Sequence, residues 1–249
     1  MYEDSEVLVI DKPAGMVVNR AQSVRGETVQ DWVERYLKLA GPAAGSSRPT
    51  SDDFGGRSGV VHRLDKETSG AIIIAKTLGA FVELQRQFGD REVEKKYIAL
   101  VHGKVVPEEG IINAPVGRLP WHRERFGVLA GGREAVTNYK VLRYLESSTS
   151  GNQDVKSSAS RSSHFSLLEL YPQTGRTHQI RVHLKSINHP IVADTFYAGR
   201  KTARNDRKWC PRLFLHASEI SLIHPESGDK VGVVSELPND LKLVLEKLV

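Results

Sequence analysis

A chain of 249 residues with 39% hydrophobic and 26% charged side chains can bury a sizeable core, which excludes a disordered or fibrous polymer and suits one globular domain. The longest aliphatic run, residues 71–75, is too short to span a bilayer; the opening MYEDSEVLVI carries acids where an export signal needs a basic region; and the single cysteine, Cys210, excludes an internal disulfide and a cysteine-built zinc site. A cytoplasmic protein is expected, and its formal charge of +5 with a pI near 9.3 favours a polyanionic partner only weakly.

In chain order, period-2 runs predict strands over residues 6–10, 70–76, 96–101, 135–144, 165–171 and, with a break, 213–222. The first helix is expected after Thr28, a good cap, with Val29, Trp32, Val33 and Tyr36 on one face. A second follows Thr77, with Phe81, Leu84 and Phe88 on its stripe and Gly89 as the stop signal. A third starts near Thr177, aligns Ile180, Leu184 and Ile187, and ends at Asn188 before Pro190; the last covers residues 240–248. This order is not the regular alternation of a parallel-sheet fold, so the predicted class is mixed α/β (α+β), a largely antiparallel sheet flanked by helices and loops. Residues 41–59 and 146–163, rich in Gly, Pro, Ser and Thr, read as loop insertions within a single domain spanning residues 1–249.

Three segments carry candidate chemistry. VHRLDKETSG, residues 61–70, ends an extended stretch and turns into the strand AIIIA. Extended backbone puts Arg63 and Asp65 on one face, and on spacing alone an ordinary surface ion pair is the default. In YPQTGRTHQIRVHL, residues 171–184, a glycine leads into a helix that offers His178, Arg181 and Lys185; an anion-binding helix start and a solvated basic face are equally open. KKYIALVHG, residues 95–103, sets Tyr97 near the start of a strand, where a tyrosine is usually half-buried in a core.

Together these segments resemble the RluA-type family of RNA pseudouridine synthases. HRLDKETSG fits the pattern HRLDxxTSG, and the likeness extends through YEDSEVLVIDKPAGMVV, APVGRLP, GGREAVTNYKVL, TGRTHQIRVHL and LFLHASEISLIHP. The resemblance implies a pseudouridine-synthase fold and isomerisation of specific uridines in structured RNA, ribosomal large-subunit RNA first and transfer RNA as the alternative. It implies that Asp65 is the essential aspartate, Tyr97 the tyrosine against the target base, Arg181 the basic partner of the aspartate, and Arg63 the arginine that enters the gap left by the flipped nucleotide. His62, Thr68, Gly175, Arg176, His178 and Gln179 are the implied RNA-binding neighbours. Many members carry a small N-terminal RNA-binding domain that is not in this sequence. Where members show GDPLYG-like residues, this chain has ADTFYAG at residues 193–199.

No phosphate loop, HExxH pattern or thiol cluster occurs, so neither a cofactor nor a metal is expected, and a monomer without a membrane partner is. The basic run over residues 200–212 reads either as a phosphate track or as a solvated loop. The rival functions are a catalytically silent RNA-binding module, which has no need of a poised carboxylate, and a glycosidase or nucleoside hydrolase, which needs a carboxylate pair or a metal.

Overall fold

The computed structural model describes residues 1–22, 24–38, 53–147 and 164–249, in two compact units: Met1–Lys95 with Ala217–Glu236, and Lys96–His216 with Leu237–Val249. The first unit begins with β1 (Tyr2–Glu3), β2 (Val7–Lys12), α1 (Val29–Leu37), α2 (Asp53–Arg57), β3 (Ser69–Ala75) and α3 (Leu78–Asp90). The second follows from within β4 (Glu94–His102), with β5 (Glu109–Asn113), β6 (Val116–Leu119), β7 (His122–Val128), β8 (Val136–Glu146), β9 (His164–Pro172), α4 (Gln179–Ser186) and α5 (Arg200–Asp206). The chain returns to the first unit within β10 (Leu215–Ile223), adds β11 (Lys230–Val234), and ends in the second with α6 (Asn239–Glu246).

The first unit is organised around β3. All seven of its residues are buried, as expected of a strand whose apolar run does not alternate. It lies between β2, paired antiparallel from Val7↔Ala75 to Lys12↔Gly70, and β10, with β1 beyond β2 and β11 on β10. Phe81 and Leu84 of α3 pack on Val9, Ile73 and Ile220. Two helices begin where the caps predict. Thr28 forms a reciprocal capping box with Asp31, and the Thr77 hydroxyl accepts the Ala80 N–H at 3.1 Å.

Two details of the sequence reading are corrected. Helix α3 runs through Gly89 and stops at Arg91, whose left-handed φ of 64° turns its N–H onto the Gln87 carbonyl. The buried Gln87 amide also brackets the backbone of Ile223, donating at 2.7 Å and accepting at 3.0 Å, and this holds the last turn open beyond the glycine. On α1, Val29 and Val33 are buried, whereas Trp32 and Tyr36 stack on each other at 4.8 Å towards the surface. Within the expected loop at residues 41–59, the short α2 occupies residues 53–57; the rest up to residue 52 lies outside the described residues, as do residues 148–163 of the second expected loop.

In the second unit the strand order is β4-β9-β8-β5, each pair antiparallel, with a bulge in β8 between Val141 and Arg143. Leu100, Leu168, Leu170, Leu184, Ile191 and Phe214 form its core. The fold is therefore mixed α+β with a mostly antiparallel sheet, as the sequence predicts. The hairpin β6–β7, strand β11 and helix α5 are additions that no periodicity announced; α5 replaces the loop expected at its position.

Gly70 explains the last residue of the TSG turn. Its φ is +117°, and a Cβ there would collide with the Ala217 carbonyl of the neighbouring strand. Gly70→Ala should cost at least about 3 kcal/mol in urea unfolding, whereas Gly89→Ala, in an open helical position, should gain up to about 1 kcal/mol. Similar destabilisation by both would contradict the helix boundary described above.

Candidate active site

In the first unit, a turn presents Asp65. The Thr68 N–H donates to the Asp65 carbonyl at 3.1 Å, while Val61 and Leu64 anchor the approach in the core. Asp65 itself is half-buried, and Arg63 is exposed with no ion pair among the described residues, so the surface Arg–Asp pair that spacing favoured does not form. Thr68 is buried, and its hydroxyl finds no partner among the described residues.

The turn is fixed from behind by Lys12, a fully buried lysine at the end of β2. Its ammonium donates to the carbonyls of Pro13 at 2.8 Å, Met16 at 2.9 Å and Lys66 at 3.3 Å. The Gly15 N–H donates to the same Lys66 carbonyl at 2.7 Å. Since an ammonium out of water is costly unless its donors are used, these acceptors are fixed around it, and the carbonyl of Lys66, the residue after Asp65, is one of them. A sequence reading misses Lys12 because a lysine at a strand end ordinarily reaches solvent.

His62, grouped above with RNA contacts, has a backbone duty. Its Nε2 accepts the Ile73 N–H at 2.8 Å, so the proton sits on Nδ1, and the ring stacks on Phe88 at 4.8 Å. Burial, with the nearby Lys95 charge, pushes its pKa down to about 3 and keeps it neutral.

In the second unit, Tyr97 is half-buried on β4 opposite Leu170. The segment before α4 is organised by the Gln179 amide. Its Oε1 accepts from the Arg176 N–H at 3.0 Å and the Thr174 hydroxyl at 2.6 Å, and its Nε2 donates to the Val136 carbonyl and Thr137 hydroxyl, both at 3.0 Å. Arg176 donates to the Glu134 carbonyl at 3.0 Å, and Gly175 is exposed between them. His178 has a left-handed φ of 56°, and its Nδ1 lies within hydrogen-bond distance, 2.7 Å, of the Tyr197 hydroxyl, which also accepts the Phe126 N–H at 3.1 Å.

Arg181 is buried, with its Nε and Nη2 held by the two oxygens of Asp194 at 2.8 and 2.9 Å. Asp194 is fully buried and also accepts the N–H groups of Phe196 and Tyr197. The Arg181 guanidinium lies 5.0 Å from the Tyr197 ring centroid and 5.3 Å from that of Phe196. The solvated-face alternative does not hold at Arg181, which is buried, while Lys185, one turn along, is exposed. Removing either member of such a pair strands a buried charge, at about 3–5 kcal/mol. Asp194 was legible only as one residue of ADTFYAG, with nothing in the spacing to connect it to Arg181.

Among the described residues, no group of three or more His, Cys, Asp or Glu side chains is gathered to hold a metal, and no helix is long and apolar enough to cross a membrane. Cys210 is buried, and burial pushes its thiol up to about 11, which leaves it a poor nucleophile.

A family model described as RNA pseudouridylate synthase matches residues 6–186. The chain is 38% identical, over its whole length and 64% of the relative's, to ribosomal large subunit pseudouridine synthase D of Nitrosomonas europaea. It is 35% identical, over its whole length and 72% of the relative's, to an uncharacterized RNA pseudouridine synthase of Mycobacterium bovis. It thus spans about two thirds of these relatives (64% and 72%). Among solved structures, human RNA pseudouridylate synthase domain containing 1 superposes with a TM-score of 0.69 at 24% identity, covering 95% of this chain and 82% of that one. Human RNA pseudouridylate synthase domain containing 4 does so with a TM-score of 0.68 at 24% identity, covering 100% and 92%. These two likenesses concern the fold.

The depressed pKa of His62 has a pH consequence. The unfolded chain takes up a proton near 6.5 and the folded one only near 3, so this group's stabilisation is complete above pH 6.5 and is lost as pH falls towards 3. Between pH 6.5 and pH 4, wild-type protein should lose about 1–3 kcal/mol more than His62→Gln, whose amide can still accept the Ile73 N–H. Parallel stability curves from urea titrations would show that His62 is protonated in the fold.

Proposed function

The chain belongs to the RNA pseudouridylate synthase family, and we propose that it isomerises selected uridines to pseudouridine in large-subunit ribosomal RNA, with Asp65 as the reacting carboxylate. The observation that carries this reading is the HRLDKETSG turn, in which Asp65 is half-buried on backbone fixed from both sides, by the Thr68 N–H and through Lys66 by Lys12. A silent RNA-binding module has no use for such a carboxylate. The choice of ribosomal RNA rests on the names of relatives from Nitrosomonas europaea, Neisseria meningitidis and Zymomonas mobilis.

Isomerisation breaks the bond from ribose C1′ to N1 of uracil, turns the freed base, and joins C1′ to C5, whose proton is then lost. An ionised Asp65 can begin this by attacking C1′ or by removing the 2′ proton, and both routes need the carboxylate against the ribose. A Tyr97 ring half-exposed on its strand offers a face for the uracil. Arg181, which the family likeness makes the counter-charge of the aspartate, is fixed in plane and orientation by Asp194. Arg63, exposed, suits the duplex that the flipped nucleotide leaves, and extrusion costs a few kcal/mol that backbone contacts offset.

Asp65→Asn should lower tritium release from RNA labelled at uridine C5 by at least about 1,000-fold, because it removes the nucleophile or base itself. RNA affinity should change by less than about 3-fold, since phosphate contacts supply most of it. Turnover should also persist in EDTA. Release near the wild-type rate from Asp65→Asn would remove the residue from the chemistry.

A further inference from the structure

The second unit carries a cavity of about 570 Å³ that none of the site residues above lines. One wall is a face of α5, with Lys201, Thr202 and Asn205 at helical spacing. Trp209 closes another, edge-on to the buried ring of Phe165 with centroids 5.4 Å apart, and Lys247, after α6, supplies a second exposed ammonium. His102 reaches the cavity from β4. Its Nε2 lies 2.9 Å from Oδ2 of the buried Asp206, which also accepts the Ala193 N–H at 2.9 Å. That contact orients the imidazole and leaves Nδ1 as the ring nitrogen on the side away from Asp206.

The basic run that was open between a phosphate track and a solvated loop divides here by duty. Arg207 is turned inward onto the carbonyls of Ala193 and Pro211, and Arg212 onto Asp240. Arg200, Lys201, Arg204 and Lys208 remain exposed along α5 and just past it, and of these Lys201 borders the cavity. An indole between two ammonium groups, with amide, hydroxyl and imidazole atoms nearby, matches one ligand chemistry closely. It offers a flat apolar surface for a base, cations for the attached phosphate and hydrogen-bonding atoms for base edges. The volume is in the range of small-ligand sites.

We propose that this cavity binds one unstacked nucleotide of the RNA substrate, its base against Trp209 and its phosphate between Lys201 and Lys247. The inference rests on the reading of the chain as an RNA-modifying enzyme and adds a second contact, remote in sequence from the Asp65 turn. It would give the enzyme a handle on a neighbouring single-stranded nucleotide, and so a means of choosing its target by local RNA structure.

With Trp32→Phe and Trp121→Phe, Trp209 is the sole indole of the three in the chain, so its fluorescence reports the cavity. Titration with a single-stranded pentaadenylate should quench it saturably. Adding Lys201→Glu and Lys247→Glu should raise the half-saturating concentration at least 10-fold and flatten its salt dependence, with the urea midpoint unchanged, since both side chains are exposed. The same two charge reversals should raise the KM for the RNA substrate. Absence of saturable quenching, or equal affinity in the charge-reversed protein, would overturn the proposal, as would quenching by polyglutamate and not by the oligonucleotide, which would make the cavity a peptide site. Because binding is read without turnover, intact quenching in a protein that forms no pseudouridine would fault the proposed function and uphold the nucleotide site.

Discussion

The Lys12 ammonium, buried at the end of β2 among backbone carbonyls, is the constraint on which the candidate site depends. A cation taken out of water is tolerated only where acceptors converge on it, so the residues that supply them lose their freedom. Among those acceptors are the carbonyls of residues 13 and 16 and that of Lys66, which adjoins Asp65. A buried charge thereby converts a surface turn into a rigid mount. The second unit uses a related device, in which the carboxylate of Asp194 fixes the plane of Arg181 and the aromatic rings of Phe196 and Tyr197 lie against it.

Rigid mounting is what the proposed chemistry asks of a carboxylate. Attack at C1′ and proton removal at C2′ differ in their target by one atom of the ribose, and both are sensitive to placement on the scale of an ångström. An aspartate free to rotate with its backbone would spend most of its time in unproductive positions. The neutral His62 contributes to the same end by accepting the Ile73 N–H of β3. Thus the conspicuous motif combines the proposed reacting group with residues that hold the strand and turn around it, and Gly70 is required because β10 passes too close for a side chain.

Much of this was legible in the sequence, for local reasons. AIIIA reads as a strand buried on both faces, Thr28 and Thr77 are caps with the right successors, and HRLDKETSG identifies the Asp65 turn. What was not legible depends on partners distant in sequence. Gly89 is a natural stop signal, overruled because Gln87 is fastened to Ile223. Arg181 reads as a basic face until Asp194 is seen to enclose it, and Lys12 reads as a solvated strand end. The basic run at residues 200–212 holds two structural arginines among its exposed cations, a division that composition cannot express.

The most direct test of the account is the single-turnover rate of pseudouridine formation by Lys12→Met on saturating RNA. Methionine fills much of the same volume and removes the charge, so the core can remain packed while the carbonyl cradle behind Asp65 loses its centre. The account predicts a rate lower by at least about 10-fold in protein that still folds cooperatively, because misplacement of a reacting group by about 1 Å has effects of this order or larger. A wild-type rate in folded Lys12→Met would contradict it, showing that the placement of Asp65 does not depend on the buried ammonium.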